Sequence, residues 1–353
     1  MARYVPSIAP SGTRTPTLRD VAQAAGVSIS TAGRVLRDAD YPIGPALRAR
    51  VMEAAERLGY VPNALARTLR AGASATVGLI VGDMQDPYFG EIAEAITQHA
   101  ESAHSTLAIV CNMQRDPLLE LKYCQRLWEN RVGGLILAGG GFDQWSHLGQ
   151  LSALLRQMDR AGVAIATLSP RQLALAQTFC ADNELAGAMM ARHLVENGHR
   201  RVGVMLGPPQ GEVTQQRLRG VTRVLTGAGA RFHVIHSLYT PQAGADGVRT
   251  LLEGDPELTG FIVGSSTMAL GVCERLGQLG RSVPDAASVI SIGNGFTAKW
   301  SVPRLTTVDV RLADWGRLAL DYVVTRAAGG SPAGAADLPP RLVVGQSVAS
   351  LSA

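Results

Sequence analysis

The sequence predicts an α/β protein with a three-helix helix-turn-helix head at its N-terminus. A short hinge helix follows, and then a two-lobed body of doubly wound parallel sheets. Three observations carry this expectation. Positive charge is concentrated at one end: residues 1–72 hold ten arginines against five acids, a net +5, in a 353-residue chain whose total is +4. Near the N-terminus, two capped amphipathic helices are separated by a turn of a few residues, the outline of a helix-turn-helix. After residue 76 the rhythm changes to short apolar runs alternating with helical stretches, the pattern of stacked strand–helix units.

Residues 1–16, rich in Pro, Ser, Thr and Gly, read as a disordered lead-in. They contain no continuous apolar stretch, so no secretory signal is predicted. Thr17-Leu18-Arg19-Asp20 then has the form of a capping box, with Thr17 as N-cap and Asp20 at the third helical position. The helix over 18–25 ends at Gly26, a residue suited to the left-handed turn after a helix. Ser28 caps a second helix over 29–37, and Leu18, Val21, Ala22, Val27, Val35 and Leu36 supply the contacts between the two. Gly44-Pro45 opens a third helix, since proline suits the first helical position. Its apolar spacing (Leu47, Val51, Ala54, Ala55, Leu58) runs to Gly59. The head is therefore placed at 17–62.

In such a head the second helix lies in the major groove with its first residues against base edges. Ser30, Thr31 and Arg34 share one face, with Ile29 beside them, and Thr17 and Ser28 join them as candidate DNA contacts. Arg34 can donate a fork to guanine O6 and N7, a contact that contributes about 1–3 kcal/mol of discrimination; the alternative is an ordinary surface arginine. The segment 63–76 forms a hinge and linker. Asn63 and Gly72 bracket a helix over 64–70, well below the ~12–15 residues that are marginal in water, so it is expected to order only against a partner.

The body is read over 77–350. Strand 77–81, helix 88–103, strand 106–111, helix 118–130, strand 134–138, helix 148–161 and strand 163–168 make a first half. From Asp182 a second half follows: helix 183–197, strand 201–206, helix 214–228, strand 231–235, helix 245–252, strand 260–263, helix 268–279 and strand 288–292. A strand at 305–308 is expected to return to the first half. The first lobe is thus placed at 77–176 and 305–330, and the second at 177–304 and 331–350.

Composition narrows the function. With 46% hydrophobic and 18% charged residues the chain has ample core material, and no run approaches the roughly 18–20 apolar residues of a membrane span. A membrane partner is not expected, and the cytoplasm is the expected location. The four cysteines (Cys111, Cys124, Cys180, Cys273) lack zinc spacing and are read as reduced thiols. Gly139-Gly140-Gly141 fits neither phosphate-binding glycine motif. His99, His104, His193 and His199 accompany no evident nucleophile or metal set, so neither catalysis nor a cofactor or metal is predicted.

The run TLRDVAQAAGVSISTAGRVL (Thr17–Leu36), followed by LGYVPNALARTLR (Leu58–Arg70), resembles the LacI/GalR family of repressors. That resemblance covers nearly the whole chain from Thr17, and it implies a transcription regulator. The expected protein is a repressor acting as a homodimer on a pseudo-palindromic double-stranded DNA operator, under control of a small-molecule effector. It also implies that the hinge folds on operator DNA, with Leu69 as a minor-groove wedge flanked by Arg70, and with Asn63 and Arg67 among the contacts. Otherwise Leu69 is a plain linker residue.

The body resembles the periplasmic-binding-protein fold, with its ligand between the lobes near the C-terminal strand ends. Asp83-Met84-Gln85-Asp86-Pro87-Tyr88-Phe89 resembles the family's D-x-x-N-P-F-F stretch, with Asp86 for Asn. Tyr88 and Phe89 either stack on an effector ring or pack the first helix. Asp182 either meets the effector or caps the helix after it. Arg217 matches the family's arginine for carboxylate or hydroxyl groups, against a surface ion pair. Ser266 and Asn294 complete the candidate set. The chain departs from the family at Ala32-Gly33, usually Val-Ser; at Ser169-Pro170, commonly Asp-Arg; at Ser265-Ser266, often Asn-Asp; and at Gly293-Asn294, usually an Asp-containing turn. Those losses of acid leave the ligand open between a sugar, a non-sugar metabolite and none. A periplasmic solute-binding protein would share the body but not the head, an architectural DNA-binding protein would need no cleft, and a nucleotide-using enzyme finds no motif.

Overall fold

The structure, a computed structural model, describes residues 15–36, 43–61, 76–139, 147–171, 173, 175–293, 295–332 and 337–351. The expected hinge helix with Asn63, Arg67, Leu69 and Arg70 lies outside them, as do Asn294, Gly140, Gly141 and most of the lead-in. The chain divides into two compact units, 1–71 and 72–353.

The head contains α1 (Leu18–Ala24), α2 (Ile29–Val35) and α3 (Pro45–Leu58). The capping box forms: the Thr17 N–H donates to Asp20 Oδ2 at 2.7 Å, and the Asp20 N–H to Thr17 Oγ1 at 3.4 Å. Ser28 Oγ accepts the Thr31 N–H at 3.0 Å and opens α2. Gly59, at φ +61°, closes α3 in a conformation that favours glycine. Val21, Ala22, Ala32, Val35, Val51, Ala54 and Ala55 form the buried core, joined by Tyr60 just after α3.

In the body, β1 (Thr76–Val81), β2 (Leu107–Asn112), β3 (Gly134–Leu137), β4 (Ala164–Thr167) and β5 (Gln177–Thr178) form a parallel sheet in the order β2-β1-β3-β4-β5. Its connecting helices are α4 (Pro87–His104), α5 (Pro117–Glu129) and α6 (Leu148–Arg160). β3 and β4 are buried along their whole length, as strands covered on both faces must be. The two-residue β5 belongs to this sheet, so the first half reaches beyond residue 176.

The second half holds α7 (Asn183–Glu196), β6 (Arg201–Leu206), α8 (Glu212–Gly227), β7 (Arg231–His236), α9 (Pro241–Gly254), β8 (Gly260–Val263), α10 (Ser266–Gln278), β9 (Ser288–Ile292), α11 (Phe296–Trp300) and β10 (Thr306–Asp309). α12 (Leu312–Ala327) and β11 (Arg341–Val343) complete the chain, and the sheet order is β11-β10-β9-β8-β6-β7.

Here the structure corrects one expectation. The strand near 305–308 does not return to the first half: β10 pairs in parallel with β9 and antiparallel with β11. The crossing comes after it, at Arg311, which takes a left-handed φ of +58°. Its N–H bonds Asp309 Oδ1 at 2.7 Å, and its Nε bonds Asp314 Oδ2 at 2.9 Å. A helix makes the return instead. α12 buries Leu312, Trp315, Ala319, Leu320 and Val323 in the cluster that holds Ile92 and Ile96 of α4. Among the described residues no helix is long and apolar enough to cross a membrane.

Candidate nucleic-acid interface and ligand cleft

On the head, α2 turns Ile29, Ser30 and Arg34 outward, with Thr31 half-buried. Ile29 is 41% exposed, an apolar residue with no core role on a face of hydroxyls and an arginine. Ser28 Oγ lies 2.8 Å from both Ser30 Oγ and Thr31 Oγ1, so the cap gathers the hydroxyls at the start of α2. Thr17 sits apart from this cluster, exposed at the start of α1.

The body contains a cleft of about 810 Å³, its open mouth included, within the range of small-molecule sites. Asp86, Tyr88, Phe89, Arg115, Ser169, Arg217 and Tyr239 contribute to its walls. It lies where strands end: β1 runs into Gly82, β6 into Gly207 and β8 into Gly264. A Cβ at Gly207 would stand 2.1 Å from Tyr239 Oη, and one at Gly82 would stand 2.5 Å from the Phe89 ring. Glycine is therefore what allows these rings to stand over the strand ends.

Asp86 caps α4, its Oδ1 accepting the Tyr88 N–H at 3.1 Å, while Oδ2 receives Arg115 Nη2 at 3.0 Å. Burial pushes its carboxyl upward, an effect opposed by that backbone bond and by the Arg115 charge. The Arg115 guanidinium also sits 5.8 Å from the centroid of Phe89 and 5.9 Å from that of Tyr239, within cation–π range of each. Tyr88 packs edge-to-face on Phe89 at 5.1 Å, and burial pushes its phenol up to about 12, so it stays a proton donor. Phe89 belongs to the core, Tyr88 packs against that core, and both rings line the cleft.

Arg217 is buried rather than part of a surface ion pair. Its Nε donates to Asn183 Oδ1 at 3.0 Å and its Nη1 to the Gly264 carbonyl at 3.2 Å. It therefore ties α7 and α8 to the end of β8 while lining the cleft. Among the described residues Ser169 Oγ is buried there without a hydrogen-bond partner.

Two candidates stand elsewhere. Asp182 is exposed, and its Oδ1 caps α7 by accepting the Leu185 N–H at 2.8 Å; the neighbouring Asn183 meets Arg217 instead. Ser266 Oγ donates to the Ile292 carbonyl at 2.9 Å and borders a smaller recess with Gly293 and Thr297. Sequence reasoning missed Arg115, Asn183 and Tyr239. The choice of Asp182 fell one residue short of Asn183, whose Oδ1 meets Arg217. Arg115 has no local signal, arriving from a turn where Gln114 and Arg115 both hold left-handed φ, +52° and +56°.

The cleft presents hydrogen-bond donors and aromatic walls, an arrangement suited to holding a small molecule. Comparison with known proteins agrees. Residues 17–63 match the model for bacterial regulatory proteins of the lacI family, and residues 191–348 match that for a periplasmic binding protein-like domain. The HTH-type transcriptional repressor PurR of Edwardsiella ictaluri (strain 93-146) is 27% identical over 338 residues, 94% of this chain and 97% of that protein. The transcriptional regulator CelR, solved in complex with cellobiose, is 26% identical with a TM-score of 0.67, covering 94% of this chain and 99% of that one. The lac repressor dimer bound to operator and the anti-inducer ONPF has the same fold, with a TM-score of 0.82 at 23% identity over 95% of this chain and 100% of that one. The chain belongs to the lacI family of bacterial regulatory proteins and is a DNA-binding transcription regulator, not an enzyme.

Proposed function

We propose that the protein is a cytoplasmic homodimeric repressor that reads a pseudo-palindromic operator and is controlled by a small effector in the cleft. The observation that carries this reading is Arg217: a buried arginine spends Nε and Nη1 on the protein and still lines an open cleft, which Ser169 also lines with an Oγ that has no partner among the described residues. The named relatives support it, one solved as a dimer on operator DNA and one with a bound disaccharide. In this scheme the head at 17–62 reads bases through Ser30, Thr31 and Arg34. Leu69, Arg70, Asn63 and Arg67 act in the hinge at 63–76, and the body at 77–350 dimerises and binds the effector.

The effector class follows from the walls. Asp86 is engaged by Arg115 and its own helix, and Glu212 already meets Gln216 and Arg219. Groups left for a ligand include the rest of the Arg217 guanidinium, the Tyr88 phenol, Ser169 Oγ and, as the acceptor among them, Glu212 Oε2. A ring-bearing metabolite rich in carbonyl or carboxylate oxygen fits them better than a neutral hexose.

Selection of bound sequences from random duplex DNA at two salt concentrations tests the DNA half. A two-fold symmetric site is expected, and recovery of no consensus with or without metabolite extract would sink it. A thermal-shift panel of neutral sugars, sugar acids and planar carbonyl compounds tests the other half. Stabilisation by neutral hexoses alone would overturn the class assigned to the ligand.

A further inference from the structure

Away from the cleft, the far end of α4 carries a cluster that the sequence reading took to have no metal partner. His99 and His104 stand five residues apart at the end of that helix, and Asp321 meets them from α12. His99 Nε2 lies 2.8 Å from Asp321 Oδ1, and His104 Nε2 lies 2.6 Å from the same oxygen. The imidazoles meet edge to face at 5.4 Å. One donor atom from each of the three residues falls within a sphere of mutual distances below 4.8 Å. No spacing rule finds such a set, because the carboxylate lies 217 positions beyond the second histidine.

We infer that His99, His104 and Asp321 form a binding site for one divalent first-row transition-metal ion, with zinc the foremost candidate. Two neutral imidazoles and a carboxylate are a recurrent three-ligand set for zinc, with water in the fourth position. The sites are accessible: the two imidazole side chains are 24% and 21% exposed, and the Asp321 side chain 45%. Both histidines lie in the closing turns of an 18-residue helix, where the dipole presents its negative end to a cation.

Bonds of about 2.0–2.1 Å would hold tetrahedral ligand atoms roughly 3.3 Å apart. Asp321 Oδ1 must therefore retreat by roughly half an ångström, a small torsion for a half-exposed side chain. Each imidazole must present its Nε2 lone pair, which moves its N–H to Nδ1 without changing the net charge. The packing of α4 on α12 does not itself call for this convergence, since Ile92, Ile96, Trp315 and Ala319 already share one apolar cluster.

The ion would pin α12, the helix that returns from the second sheet, to the end of α4. Its distance from the cleft is large: Asp86 precedes α4, and 18 residues at 1.5 Å rise put roughly 25 Å between the two ends. The site is thus separate from the effector cleft.

The test uses the untagged full-length chain, stripped with chelator and titrated with ZnCl₂ by calorimetry, with Co²⁺ absorption as a second probe. One equivalent should bind, raise the melting temperature, and give a cobalt spectrum free of thiolate charge transfer. The double variant His99→Gln/His104→Gln, which keeps donors toward Asp321, should lose at least about 100-fold in affinity while melting like wild type in metal-free buffer. Where that variant does not fold, Asp321→Asn should lose tenfold or more. Failure of wild type to bind zinc, or one equivalent retained at wild-type affinity by the variants, would leave the trio as a hydrogen-bonded clamp and overturn the inference.

Discussion

Gly220→Ala is the substitution whose consequence the structure fixes most tightly. Gly220 lies within α8 where that helix crosses α7, and a Cβ built on it would stand 1.9 Å from the Glu184 carbonyl oxygen and 2.7 Å from Ala188 N. Both are main-chain atoms, so no side chain can rotate out of the way. The crossing is close from the other side too, since a Cβ at Gly187 would stand 2.1 Å from the Arg217 carbonyl oxygen. Restoring ordinary contact near 3.5 Å requires the helices to part by roughly 1.5 Å. That displacement also stretches the 3.0 Å bond from Arg217 Nε to Asn183 Oδ1, because the two residues ride on the two helices.

Overpacking costs about 1–3 kcal/mol, and a weakened bond to a charged donor about 1.5–3 kcal/mol. Alanine returns about 1 kcal/mol through helix propensity. The net loss is about 1.5–5 kcal/mol, which at about 2–4 °C per kcal/mol is a fall of roughly 3–20 °C in melting temperature. Gly227→Ala is the control, because that residue ends the same helix and its Cβ would meet nothing within 4 Å. It should melt with wild type or slightly above. Calorimetry with far-UV circular dichroism on both variants decides the matter. If Gly220→Ala melts with the control, the helices do not cross at this distance and Arg217 is not held as described.

The other expectations concern the cleft, the head and acid stability. Arg217→Met should weaken effector binding about 10–100-fold, the loss of one charge-assisted bond. Operator affinity without effector should stay within about threefold, both readable by fluorescence anisotropy; an unchanged effector response would remove Arg217 from the site. Ser28→Ala deletes the cap on Thr31 N–H and the link to both neighbouring hydroxyls. Thermal melts should show about 1 kcal/mol lost from the head, and no loss would show that Ser28 is dispensable to α2. His199 is buried, with Nδ1 3.0 Å from the Thr259 hydroxyl and Nε2 3.1 Å from the Ala349 carbonyl, so Nε2 carries the proton. Burial holds its pKa below the ordinary histidine value of 6.5. The unfolded chain then binds more protons, so this contribution is complete above about pH 6.5 and is lost as the pH falls below it. His199→Gln should flatten that part of the profile in urea melts at pH 7.5 and 5.5, and parallel profiles would refute the assignment.

What was legible in the sequence is what is decided locally. Thr17 and Ser28 act on amides three residues ahead, so their caps could be read from the string alone. The strand and helix rhythm of the body is equally local, and most elements fall within a few residues of their expected limits. The cleft is legible only where a motif sits next to its own helix, as Asp86, Tyr88 and Phe89 do. Arg115 reaches Asp86 across 29 residues and Arg217 reaches Asn183 across 34, and no periodicity encodes such meetings. The strand at β10 was misplaced for a similar reason. Its buried threonines mark a sheet strand, but which sheet it joins depends on pairing with β9 and on a three-residue β11 that local pattern does not reveal.

The departures in the cleft gain meaning when taken together. Aspartate at position 86 places a buried carboxylate where the family pattern has an amide, and such a charge requires a partner. Arg115 is that partner, and it stands at cation–π distance from Phe89, next to α4's cap, and from Tyr239 in the second half. One ion pair therefore lies against aromatic rings from both halves of the body, and it engages the Asp86 carboxylate. Serine at 169 leaves a hydroxyl without a partner among the described residues, while serine at 266 turns its hydroxyl into the end of β9. On the proposed reading, the loss of acids at 169 and 266 favours ligands that accept hydrogen bonds. An effector of that kind would draw on Arg217 and displace nothing from Asp86, so Arg115 could hold the halves at one angle with or without ligand. Control of DNA binding would then depend on whether the ligand competes with Tyr239 for the Arg115 face, a contact only one ring wide.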